Sequence, residues 1–117
     1  MFVPITDLFE FKFMIFNHNI KMIILNYIKN NSKFETYYDE DFNSIDDVKD
    51  RNYDISKFDK NVLNKMKLIA IKLSEDFKNF IRVDLYIFHN KIYLSELTFV
   101  SHGEILYLEI LNILLKE

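Results

Sequence analysis

Two stretches near the end of the chain, Phe80-Ile-Arg-Val-Asp-Leu-Tyr-Ile-Phe88 and Lys91-Ile-Tyr-Leu-Ser-Glu-Leu-Thr-Phe99, constrain its fold more than any other feature. Side chains on a β-strand point alternately to its two faces. Arg82, Asp84 and Tyr86 therefore share one face of the first stretch, and Ile81, Val83, Leu85 and Ile87 share the other. On the second, Leu94, Glu96 and Thr98 fall on one side. A short bend joins the stretches, so they read as an antiparallel hairpin with an acid in the middle of each arm. Such a pair is a candidate metal site if both acids face the same way.

The bend decides that condition. A two-residue loop, His89-Asn90, pairs Val83 with Glu96 and sends the two acids to opposite faces, because a one-residue slip flips every side chain. A three-residue loop, Phe88-His89-Asn90, pairs Asp84 with Leu94 and Arg82 with Glu96. The acids then become diagonal neighbours roughly 7–8 Å apart at the backbone. That loop needs a left-handed residue at its last position, which Asn tolerates better than other non-glycine residues. Asn90 stands there, so the three-residue loop is the expectation.

The chain has 117 residues, enough for one domain, and half of them are hydrophobic, including 12 Phe and 7 Tyr. A net charge of −3 argues against a general nucleic-acid or anionic-membrane binder. The chain contains no cysteine, which excludes disulfides and thiolate metal sites and fits a reducing, cytoplasmic setting. Charged and polar residues interrupt the apolar stretch from Phe9 to Ile28, so no membrane span is expected. The N-terminus lacks the pattern of a signal peptide.

Upstream, Phe9 to Phe16 alternates and places Glu10, Lys12 and Met14 on one face. Asn17-His18-Asn19 reads as a turn and Ile20 to Tyr27 as the returning strand. A short strand is expected at Phe34 to Tyr38, within a polar region running from Asn30 to Lys57. The acids Asp39, Glu40, Asp41, Asp46 and Asp47 there read as a solvated surface, since no spacing matches a calcium loop. Asp59 caps a helix expected over about Lys60 to Phe77, with Val62, Leu63, Met66, Ile69, Ala70, Leu73 and Phe77 inward. Gly103 precedes a second expected helix, 104–116, apolar around most of its circumference and therefore in need of cover from a second copy or a partner chain. His18 and His89 fall at hairpin tips. The expected fold is α+β, an antiparallel sheet of two hairpins packed with two helices in a single domain, 1–117.

The final hairpin resembles that of the TupA-like ATP-grasp proteins. Their pattern runs Phe-Val-Arg-Val-Asp-Leu-Tyr, then Gly-Lys-Ile-Tyr-Phe-Gly-Glu-Leu-Thr-Phe. Ala70 to Phe77 is similar to the family's approach to that strand, Glu10-Phe-Lys-Phe13 stands where the family has Asp-Tyr-Lys-Phe, and Tyr37 to Phe42 is similar to its Phe-Tyr-Asp-x-x-Trp stretch. The family's two glycines are Asn90 and Ser95 here, with Ser95 expected on the face away from the metal. Glu35 stands where members often place Arg.

The resemblance implies the C-terminal subdomain of an ATP-grasp fold, without the family's N-terminal part. It implies Asp84 and Glu96 as magnesium ligands, with Thr98 or water completing the set. Arg82 is the implied catalytic and ATP-binding cation, and Lys12 a further candidate for phosphate contact. The implied function is the Mg-ATP-holding part of a carboxylate–amine ligase, truncated or split, linked to cell-surface polysaccharide synthesis. Its substrate would be a small carboxylate or a glycan-linked one. The alternative is a non-catalytic remnant acting as an interaction or oligomerisation module, and a third reading is a small regulatory domain unrelated to ATP.

Overall fold

A computed structural model describes residues 8–29, 32–45, 54–101 and 104–108. The fold is α+β: one antiparallel sheet covered on one face by a helix. The strands are β1 (Phe9–Phe16), β2 (Asn19–Lys29), β3 (Ser32–Tyr38), β4 (Phe80–Phe88), β5 (Lys91–Ser101) and β6 (Glu104–Leu108). They lie in the order β3-β2-β1-β4-β5-β6, so the two hairpins join through the antiparallel β1–β4 pair at the centre.

Phe11, Phe13, Ile15, Ile23, Leu25, Ile81, Val83 and Leu85 are fully buried on one face of these strands. Helix α1 (Lys60–Leu73) lays Leu63, Met66 and Ala70 against the same core. Asp59 starts the helix as expected, its carboxylate accepting from the Asn61 backbone N–H at 2.8 Å. The helix ends at Leu73, short of the expected Phe77. Ser74 caps it there, its hydroxyl donating to the Ile71 carbonyl at 2.7 Å. Phe77 still packs inward from beyond the helix, its ring 5.0 Å from that of Phe99.

The expectation of a second helix is overturned in its first part. Glu104–Leu108 is strand β6, paired antiparallel with β5 from Ser101↔Glu104 to Leu97↔Leu108. A short apolar run with no alternation fits either a helix or a strand, and here the free edge of β5 selects the strand. The rest of the expected helix, 109–116, lies outside the described residues, as do Gly103, His102, Asp46 and Asp47.

Both hairpins turn through two residues. Asn17 and His18 have φ of 51° and 66°, and His89 and Asn90 have 52° and 60°. Two successive positive φ values mark the tight turn that matches strand twist, and Asn and His tolerate that region better than most residues. The expected three-residue loop at Phe88–Asn90 is therefore incorrect: Phe88 pairs with Lys91, Ile87 with Ile92, Tyr86 with Tyr93 and Leu85 with Leu94. His18 and His89 are exposed at the tips, as expected.

Candidate functional site on the open sheet face

With that turn alone, Glu96 would oppose Val83 and point into the core. A bulge intervenes. The register shifts between Asp84 and Leu85, leaving Ser95 as an extra residue, and Asp84 comes to lie directly opposite Glu96. The two acids therefore share a face, by a different route from the one the sequence implied. Arg82 pairs with Thr98, where Glu96 was expected. A bulge inserts one unpaired residue and re-aims the side chains beyond it. Ser95 is not among the residues with positive φ, so the insertion requires no glycine.

The long-range β1–β4 pairing adds the next side chains. Lys12 lies opposite Asp84, Glu10 opposite Tyr86 and Met14 opposite Arg82. Asp84, on a central strand beneath these neighbours, is 1% exposed. Arg82 grips it in a fork, Nε to Oδ1 at 2.9 Å and Nη2 to Oδ2 at 3.0 Å. Lys12 Nζ stands 3.7 Å from Asp84 Oδ2 and 3.7 Å from Glu10 Oε1. Thr98 is buried, and its hydroxyl lies 3.4 Å from Glu96 Oε1.

Burial is the largest influence on Asp84 and pushes its pKa above the usual carboxylate range. The Arg82 fork, and then Lys12, oppose that rise without cancelling it, while Glu10 adds to it. At Tyr86 a hydrogen bond from Ser95 lowers the pKa most, but burial and the Glu10 carboxylate outweigh it, and the hydroxyl ends above its usual range.

These residues fit a divalent cation that arrives with its own ligands. Among the described residues no three acids or histidines gather into a cation cage. Magnesium is often held by one or two carboxylates plus substrate phosphates and water, and Asp84 with Glu96 supplies two carboxylates. The same face offers two cations, Lys12 and Arg82, to phosphate oxygens. Arg82 uses two of its N–H groups on Asp84, and a guanidinium carries five.

The sequence singled out Arg82, Asp84, Glu96, Thr98 and Lys12, and the structure brings all five together. Glu10, which alternation places on the same face as Lys12, pairs with it at 3.7 Å and joins the site through the β1–β4 register, which no local pattern reveals. Ser95, expected on the face away from the metal, is the extra residue of the bulge. Elsewhere, Asp39 of the acidic run accepts from the backbone N–H groups of Asp41 and Asn43, both at 2.9 Å, and organises its own turn. No helix of the described residues is long and apolar enough to cross a membrane.

A family model described as TupA-like ATPgrasp matches residues 1–109, most of the chain. No curated protein and no solved structure matches it.

Proposed function

The chain belongs to the TupA-like ATP-grasp family, and from that premise we propose that its open sheet face holds the Mg-bearing phosphate end of ATP for carboxylate–amine ligation. Proteins of the ATP-grasp family generally bind ATP and Mg2+. The observation that carries the reading is Asp84 lying directly opposite Glu96, with Arg82 forked onto Asp84.

Asp84 and Glu96 are the proposed magnesium ligands, and Thr98 orients Glu96 through its hydroxyl. Magnesium, when bound, supplies charge neutralisation on the phosphate oxygens. Arg82 holds Asp84 ionised and in place while its remaining donors face the incoming anion; a planar guanidinium suits phosphate oxygens. Lys12 balances Asp84 and Glu10 and gives a second cation to phosphate. Groups fixed in advance in this way stabilise phosphoryl transfer electrostatically without reorganising.

The reaction proposed by family likeness begins with transfer of the γ-phosphoryl group to a substrate carboxylate, releasing ADP. An amine then attacks the acyl phosphate, forming an amide and releasing phosphate. The substrate would be a small carboxylate or a glycan-linked one, in cell-surface polysaccharide synthesis. The ligase reading treats this chain as the metal-holding part of such an enzyme.

The test is a titration of the 117-residue protein with ATP, with and without Mg2+, monitored by backbone amide NMR. The reading expects Mg-dependent shifts concentrated at residues 82–86, 96–98 and 12. Shifts that are absent, or that do not depend on Mg2+, would refute it.

A further inference from the structure

Two side-chain cations already occupy the carboxylate that a metal ion would use. Arg82 holds both oxygens of Asp84 through directional hydrogen bonds, 2.9 Å to Oδ1 and 3.0 Å to Oδ2. Lys12 Nζ lies 3.7 Å from Oδ2 of the same group and 3.7 Å from Glu10 Oε1. Both Lys12 distances exceed hydrogen-bond length, so charge holds the ammonium between the two carboxylates. An ammonium is a point charge on a flexible stem, and the Lys12 side chain is 23% exposed. Ile24, its neighbour on β2, offers it no carboxylate. Of the two cations, Lys12 is therefore the one that can leave.

A divalent ion on Asp84 meets this arrangement directly. Magnesium–oxygen bonds are about 2.1 Å long, so an ion on Oδ2 has the Lys12 charge, where it now stands, within about 6 Å. Asp84, Glu96 and Glu10 carry three negative charges against the two positive ones of Arg82 and Lys12, a surplus of one that a bare divalent ion exceeds. A polyphosphate supplies the missing negative charge and a new partner for the ammonium.

We propose that Lys12 is a resident counter-ion of Asp84, tethered by Glu10, which makes the site accept a metal–polyphosphate complex and reject the bare metal ion. The inference rests on the metal-holding reading. When polyphosphate enters, Lys12 shifts from Asp84 Oδ2 to a phosphate oxygen and leaves that side of the carboxylate to the metal. Glu10 keeps the ammonium on this face during the exchange. Lys12 is thus a specificity-determining residue that chooses between two forms of the same cation.

The experiment titrates the 117-residue chain with Mn2+ alone, followed by the free-ion signal in electron paramagnetic resonance, in wild type, Lys12→Met, Lys12→Arg and Lys65→Met. Lys12→Met should bind free Mn2+ roughly tenfold more tightly, the effect of one like charge about 6 Å away even at the dielectric constant of water. Lys12→Arg keeps the charge and should behave as wild type. Lys65→Met removes equal charge from the exposed side of α1 and should change nothing. Adding Asp84→Asn to Lys12→Met should abolish the gain. With ATP the order reverses: Lys12→Met should bind Mn–ATP several-fold more weakly than wild type, read from water proton relaxation. Free Mn2+ affinity that is unchanged in Lys12→Met, or equally raised in Lys65→Met, overturns the counter-ion role even where wild type binds Mn–ATP. So does Mn–ATP binding by wild type that Lys12→Met matches. A gain that depends on Asp84, in a protein that ignores Mn–ATP, upholds the counter-ion role and rejects the ATP-holding reading. If Lys12→Met does not fold, Lys12→Gln takes its place.

Discussion

Leu94 and Glu96 lie two residues apart on one strand yet face opposite sides of the sheet, one in the core and one opposite Asp84. The candidate site depends on that reversal. Leu94→Ala removes the apolar anchor of the bulge and leaves a cavity opposite Leu85. It should cost about 2–5 kcal/mol, read from urea denaturation. The placement of Glu96 opposite Asp84 should loosen as well, because Leu94 no longer resists sliding of the register.

Asp84 should limit stability at neutral pH. Its folded pKa is raised above the ordinary value of 3.8, so the folded state binds the proton more tightly than the unfolded chain. Stability attributable to this group is therefore greatest at low pH and is lost as pH rises from about 3.8 through the folded value. Asp84→Asn should melt higher than wild type at about pH 7, with the difference vanishing at about pH 3. Thermal unfolding at the two pH values checks this.

Arg82→Met should show the opposite balance. It leaves the Asp84 carboxylate buried with only Lys12 near it. Losing the partner of a buried charged group costs about 2 kcal/mol at neutral pH, measured by urea unfolding. Acid should relieve that loss as Asp84 takes up a proton. The Arg82→Met, Asp84→Asn double variant should recover most of it at neutral pH.

The helix start was legible in the sequence because capping is local chemistry. Asp59→Ala should cost about 1 kcal/mol, seen in the melting of α1 by circular dichroism.

Other features were legible for the same local reason. Alternation marks β1 and β4, and Arg82, Asp84 and Tyr86 can be assigned to one face from their spacing alone. The features that could not be read depend on distant partners. The apolar pattern of α1 continues to Phe77, but the chain leaves the helix at Ser74, whose hydroxyl bonds back to Ile71, and Phe77 finds Phe99 from a loop. Glu104–Leu108 has no alternation, and only the open edge of β5 makes it a strand. Ser95 carries none of the glycine or proline that usually flags a bulge. Its role emerges from Leu94 and Glu96 taken together, once β4 is known to be packed on one face. Glu10 reaches the site only through the β1–β4 register.

The most direct test of the metal-holding site is paramagnetic broadening of the amide NMR spectrum by Mn2+ with ATP, in wild type and in Glu96→Gln. Broadening should centre on residues 82, 84, 96 and 98 in wild type, and be lost in Glu96→Gln with the fold intact. Broadening centred elsewhere, or equally strong without the Glu96 carboxylate, would contradict the site.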